Sequence, residues 1–377
     1  TCALPISDEL LHELHRRTLA AARQDGLAVA PADLRVARTI SRDGYGWTEF
    51  VEHTGCTDDD GVSRYFHRAG AWLALLYVGV FSMWAGFFAW YRGLAIGGAL
   101  KVSGGGQHTL NVDLDVTDLQ VFSGSLIVQK TLNNQGSTKI QGGTGHIQLS
   151  GAAASFVNHV GKTVDIQNDL GITGDGSTGQ TVVNAGLFKK TSGTGTSGIS
   201  GTNLSFSNAS AGQVIVDSGT LSFGAGVFTQ NSGRLTIASG KTLSVGNNLA
   251  NNAGALIEGS GTLNLAGNLL TNNGTIKPGG ASTVGTLSLT GSFNGGSGTL
   301  ELDLLNTSSY DKLFVTGNVT VASPGIVLSP VAMSGASWAV GDAFNVVQRT
   351  ASGGSASGAL TAPTGFTASV AACSLSP

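Results

Sequence analysis

The sequence predicts a mainly β chain, a parallel β-helix (solenoid) preceded by a small α-helical N-terminal fragment. Three observations carry this expectation. Beyond residue 100, apolar and polar residues alternate in short runs such as Leu300-Glu301-Leu302-Asp303-Leu304, the period-2 pattern of strands buried on one face. Thr-Leu dipeptides that open such runs recur at 220–221, 242–243, 262–263 and 286–287, in steps of 22, 20 and 24 residues, the spacing of a repeat that stacks on itself. The composition also breaks near residue 100. Residues 1–100 hold nine Arg and no Lys, whereas residues 101–377 hold nine Lys and two Arg, Arg234 and Arg349. Arg and Lys serve alike on a solvated surface, so the switch reads as the joining of two unrelated sequences, a chimera.

Taken in order, Thr-Cys-Ala-Leu-Pro-Ile at 1–6 resembles a translated sequencing-library adaptor and is set aside as a scar. Ser7 then makes an N-cap with Asp8 and Glu9 in the first helical turn, where acids complement the helix dipole. Leu10, Leu11, Leu14 and Leu19 follow at helical spacing, and Gly26 is a terminator. His12 and His15 stand three apart but have no third ligand near them, so they read as solvated helix residues.

Trp47–Val51, Cys56 and the run Tyr65-Phe66-His67-Arg68-Ala69-Gly70 lead into a Leu-rich stretch. Through these pieces residues 7–78 resemble a fragment of the dehydration domain of class II lanthipeptide synthetases. The resemblance implies a kinase-like domain that phosphorylates Ser/Thr of a precursor peptide with ATP and Mg²⁺ and then eliminates the phosphate. Its catalytic loop is expected just after Val78, where Gly79-Val80-Phe81-Ser82-Met83-Trp84 stands instead. No Asp, Asn, His or Lys occurs between His67 and Lys101, so groups for metal binding or proton transfer are missing.

Residues 71–92 form an apolar helix in this reading. Twenty uncharged residues, 71–90, are long enough to cross a bilayer, with Trp84, Trp90 and Tyr91 at one end. The same run also fits a fusion seam between the two halves, and both readings stay open.

Residues 101–350 form the expected β-helix repeat domain. Val112-Asp113-Leu114-Asp115-Val116, Leu235-Thr236-Ile237 and Leu263-Asn264-Leu265 alternate cleanly. Asn133-Asn134, Asn247-Asn248, Asn251-Asn252 and Asn272-Asn273-Gly274 punctuate the turns, where Asn and Gly tolerate positive φ and stacked Asn side chains can form hydrogen-bonded ladders. Gly274-Thr-Ile-Lys-Pro-Gly-Gly, Gly285-Thr-Leu-Ser-Leu-Thr-Gly-Ser-Phe293, Gly298-Thr-Leu-Glu-Leu-Asp303 and Tyr310-Asp-Lys-Leu-Phe-Val-Thr-Gly-Asn-Val-Thr320 then follow one another. In that order they resemble bacterial autotransporter passengers and adhesin-type β-helix repeats, and residues 351–377 read as a Gly/Ser-rich tail. The resemblance implies an extracellular or bacterial cell-surface location, with host or neighbouring-cell glycans or proteins as partners.

Charged residues are 11% of the chain and the net charge is −3, so the basic patch that phosphate neutralisation needs is missing and no nucleic-acid partner is expected. Cys2, Cys56 and Cys373 lie too far apart for a disulfide framework or a zinc site. Gly193-Thr-Gly-Thr-Ser-Gly198 imitates a dinucleotide loop, but no helix follows it. The Gly-Lys-Thr triplets at 161–163 and 240–242 lack the upstream glycine of a phosphate loop, and Gly174-Asp175-Gly176 reads as a plain turn. Asp113/Asp115 and Glu301/Asp303 are i, i+2 carboxylate pairs with no third member close in sequence, and Arg234 has no acidic company in its own run. A polysaccharide-active β-helix would need such grouping. The expectation is therefore a non-catalytic, adhesin-like or structural protein. It has no catalytic, cofactor-binding or metal-binding residues and no cofactor, and membrane contact is confined to 71–90.

Overall fold

A computed structural model of the chain describes residues 99–349, 356–361 and 364–367. The scar at 1–6, the helical fragment 7–78 and the apolar run 71–92 lie outside them, as does most of the tail 351–377. Among the described residues there is no helix, and the strands from Ala99–Val102 to Ala356–Thr361 build a parallel β-solenoid of about nine turns.

Each turn contributes one strand to each of three parallel ladders. The fifth turn illustrates this, with Leu204–Asn208, Gln213–Val216 and Thr220–Phe223 in ladders 1, 2 and 3. Each of these strands pairs in register with its counterparts in the turns on either side, for example Val182↔Phe206, Val214↔Leu235 and Leu221↔Leu243. Parallel pairing follows from the topology, because every strand returns to the same face in the same direction after one circuit. At ~4.8 Å per turn, nine turns rise about 43 Å.

The period-2 alternation works as expected. Leu235 and Ile237 point inward and are fully buried, whereas Arg234 and Thr236 point out. Inward columns are Val, Leu and Ile, whose branched side chains fit a pleated surface. In the middle turns they give way to a cluster of four rings. Phe206 lies 5.5 Å from Phe188, 4.6 Å from Phe223 and 5.2 Å from Phe228, centroid to centroid.

One repeat signal needs correction. Thr220, Thr242 and Thr262 stack in register, but the next residue in that column is Ser288, and Thr286 sits two positions upstream of it. The longer corner at 279–285 delivers the chain into its strand two residues early. A shift of two keeps every side chain on its proper face, so the core is undisturbed. The strand Ala356–Thr361, in the segment read as a tail, stacks on Val319–Ser337.

Candidate functional site

Ladder 1 strands end at the corner that precedes ladder 2, and there the core is polar. Asn134, Asn158, Asn184, Asn208, Asn231, Asn251 and Asn272 are all buried and stacked, one per turn. The Nδ2 of each of the first six donates to the Oδ1 of the Asn in the next turn at 2.7–2.9 Å. Each also donates to a backbone carbonyl, for instance Asn184 to Gln213 O at 3.0 Å. The steps along the ladder run from 20 to 26 residues. Asn134, Asn251 and Asn272 belong to the Asn pairs visible in sequence, whereas Asn158, Asn184, Asn208 and Asn231 are single residues that sequence reasoning missed. A signal was present. Asn-x-Gly occurs at 134–136, 184–186, 231–233 and 272–274, and the Gly admits a close approach of the neighbouring turn. A Cβ on Gly186 would lie 2.3 Å from Lys162 O and 2.4 Å from His159 O.

The outward side of ladder 2 carries the charge of the solenoid. Turn by turn its ionisable residues are Lys101, Asp118, Lys139, Asp165, Lys189, then none, then Arg234, Glu258, Lys277 and Glu301. Signs alternate on either side of the uncharged turn. Lys189 Nζ lies 3.7 Å from Asp165 and Lys277 Nζ 2.5 Å from Glu301. Arg234 is not without acidic company as its own run suggested, because its Nε donates to Glu258 Oε1 of the next turn at 2.7 Å. A fold that returns every 20-odd residues creates neighbours that no local window shows.

The same correction applies to Glu301/Asp303. Glu301 is half-exposed and holds Lys277, whereas Asp303 is buried and meets Asp311, itself fully buried. Asp311 Oδ2 accepts from Asp303 N at 2.9 Å and Asp311 Oδ1 from Gly285 N at 2.8 Å. The other pair stays apart from this group: Asp113 accepts from Thr131 N at 2.8 Å and Asp115 from Asn133 Nδ2 at 2.8 Å, each tying one turn to the next.

Lys190 points inward and is fully buried, yet its Nζ donates to Asn168 O, Ser192 O, Ser197 Oγ and Asp169 Oδ1 at 2.8–3.1 Å. Asp175 does sit in a turn. Its carboxylate accepts from Ser177 N, Gly151 N, Ser150 Oγ and Gln180 Nε2. The backbone N–H of Ser177 leads the causes that hold it well below the usual carboxylate range. Gly161 and Gly240 of the two Gly-Lys-Thr triplets occupy positive-φ turns that open strands. Gly193–Gly198 runs into a strand with no helix.

The outward side of ladder 3 is different in kind. Thr196, Thr220, Thr242, Thr262 and Ser288 form one column, and Ser222, Ser244, Asn264 and Thr290 run beside it. No charged side chain interrupts this stretch of face. At its N-terminal end Ser125 Oγ meets His146 Nε2 at 3.0 Å, with His146 Nδ1 on Thr144 O at 3.1 Å. The carbonyl partner makes Nδ1 the donor, so Nε2 accepts from the hydroxyl. This imitates a nucleophile and its base. However, the pair is directly opposed across adjacent strands, and the Ser125 N–H is already given to Gly106 O at 3.0 Å, so it cannot serve an oxyanion. Among the described residues no group of three or more His, Cys, Asp or Glu is placed to hold a metal ion. Among them, too, no helix is long and apolar enough to cross a membrane.

Residues 12–81 match the model of a domain of unknown function (DUF4135), a domain tied to lanthipeptide synthetases. The match covers under a fifth of the chain and coincides with the fragment singled out at 7–78. No curated protein matches the chain.

Proposed function

We propose that the solenoid is a non-catalytic display surface, adhesin-like or structural, of a secreted or surface-exposed bacterial protein of the autotransporter-passenger kind. The observation that carries this reading is how the polar groups are spent. On ladder 2, Lys189, Arg234 and Lys277 pair with carboxylates of neighbouring turns, buried Asp303 and Asp311 accept from backbone N–H groups, and ladder 3 from Thr196 to Thr290 is left as an uncharged array of hydroxyls and amides. Repeated weak contacts at ~4.8 Å intervals bind by multivalency, which suits glycans or proteins of a host or neighbouring cell. The balanced charge of ladder 2 offers nothing to a phosphate backbone. The test is binding of the full chain to an array of cell-surface glycans and to intact cells, compared with a variant carrying Thr220→Glu, Thr242→Glu and Thr262→Glu. Retention that the triple variant loses supports the reading. Reducing-end release from polysaccharides would replace it with a carbohydrate-active β-helix.

The match at residues 12–81 favours a second reading for the N-terminal part: a fragment of a lanthipeptide dehydratase, inactive because its catalytic loop is missing. Incubation with ATP, Mg²⁺ and a Ser/Thr-rich peptide is expected to leave the peptide mass unchanged. A gain of one phosphate overturns inactivity.

A further inference from the structure

The corner at 279–285 is held by side chains from another turn. Its sequence, Gly279-Gly280-Ala281-Ser282-Thr283-Val284-Gly285, contains no ionisable group. Thr283 N donates to Asp303 Oδ2 at 3.1 Å and Gly285 N to Asp311 Oδ1 at 2.8 Å. The two carboxylate residues are clasped to each other through their backbones, Asp311 N to Asp303 O at 2.9 Å and Asp303 N to Asp311 Oδ2 at 2.9 Å. Gly279 fits so tightly beneath them that a Cβ there would stand 2.9 Å from Asp311 Oδ1. Two carboxyls, 2% and 0% exposed, are thus the anchor points of one loop.

The charges around this anchor do not balance. From Thr275–Pro278 it faces Lys277, which is engaged by Glu301 and has Glu258 opposite it in register. From Thr299–Asn306 it faces Glu301 and Asp303. On its own segment Lys312 turns away, its Nζ 4.6 Å from the centre of the Tyr310 ring. The packed strand Val319–Ser337 has no ionisable residue, and Arg349 lies opposite Val315, farther along the ladder. Two buried negative charges therefore share one cation that is already committed elsewhere, and such a pair holds a proton.

We propose that the Asp303–Asp311 clasp is a proton-operated latch: with one proton bound, the loop 279–285 is locked onto the ninth turn, and loss of that proton releases it. Burial, reinforced by the Asp303 charge and opposed by the backbone N–H groups and Lys277, pushes Asp311 up to about 7. A folded-state value above the unfolded one means that the closed form binds the proton more tightly. The stabilisation is complete below the ordinary carboxylate range and is lost as pH rises toward about 7. Release near neutrality would make the C-terminal turns looser in neutral than in acidic surroundings.

The test is amide hydrogen exchange in the full chain from pH 5 to 8.5, corrected for the intrinsic pH dependence of exchange. Protection of Thr283 and Gly285 is expected to fall about tenfold per pH unit up to pH 7 and then level off, while Val183 in the Asn ladder keeps its protection. Asp311→Asn should abolish the slope, and Asp303→Asn, which removes the charge that helps hold the proton, should make the fall level off at lower pH. A flat wild-type profile, or a slope that survives Asp311→Asn, overturns the latch. Should Asp311→Asn fail to fold, a fall in Asp303→Asn that levels off at the wild-type pH overturns it equally.

Discussion

Asn184 stands at the middle of the Asn ladder, and replacing it with Leu tests whether the ladder holds the turns together. The side chain accepts from Asn158 Nδ2 at 2.7 Å and donates to Asn208 Oδ1 at 2.8 Å and Gln213 O at 3.0 Å. Leucine has the same branching but is the larger side chain, so a steric cost adds to the polar one and is shared by the control at Asn272. Asn158 Nδ2 keeps Lys162 O and Leu187 O as longer contacts, 3.3 and 3.2 Å. Asn208 Oδ1 loses its Asn184 donor, in a site where Asn208 is 1% exposed. One orphaned acceptor and the lost bonds together cost about 3 kcal/mol, which lowers amide protection in the flanking strands about a hundredfold. Asn272, at the ladder's end, is the internal control. It accepts from Asn251 at 2.8 Å but donates only to Thr299 O at 3.4 Å, and Asn251 retains Thr275 O at 3.2 Å. Asn272→Leu should therefore cost about 1 kcal/mol. Hydrogen exchange at Phe156, Val182 and Phe206 reads the first variant, and at Ile257 and Ile276 the second. Equal costs at the two positions, or wild-type protection in Asn184→Leu, would falsify the idea that the ladder acts through saturated buried amides.

Lys190→Met keeps the shape of the buried side chain but leaves Asn168 O, Ser192 O and Ser197 Oγ without their cation; a loss of about 3 kcal/mol is expected in denaturant unfolding of the full chain. Gly186→Ala forces a Cβ against two carbonyl oxygens at 2.3 and 2.4 Å, and the backbone shift should cost about 2 kcal/mol, read by the same assay. Phe206→Ala opens the four-ring cluster and should cost about 4 kcal/mol, visible as a lowered unfolding midpoint. Asp175 has its carboxyl held below the usual range, so its stabilisation is present above the ordinary carboxylate pKa and is lost as pH falls through the depressed value. Protection of the Gly151 and Ser177 amides should drop in strong acid, and Asp175→Asn should remove that dependence.

Strands with one buried face were legible residue by residue. Leu300-Glu301-Leu302 shows the alternation locally, and local alternation is what places a side chain in or out. The solenoid was legible as well, since Thr220, Thr242 and Thr262 recur at the length of one circuit. Thr286 misled because a repeat count cannot detect a corner that enters its strand two residues early. Four of the seven Asn of the ladder escaped notice because Asn184 alone looks like any turn residue until the turns above and below supply Asn158 and Asn208.

By itself, the sequence determined the period-2 alternation, the length of a circuit, the compositional break near residue 100 and the fragment matched at residues 12–81. Only the tertiary structure decided which charges meet. Arg234 finds Glu258, Lys277 finds Glu301, and Asp303 finds Asp311, each pair brought together by one circuit of chain or by a fold-back of the backbone. The physical reason is the geometry of a solenoid, in which contacts run perpendicular to the chain at ~4.8 Å spacing. Arg234 and Glu258 therefore meet although they stand 24 residues apart in sequence.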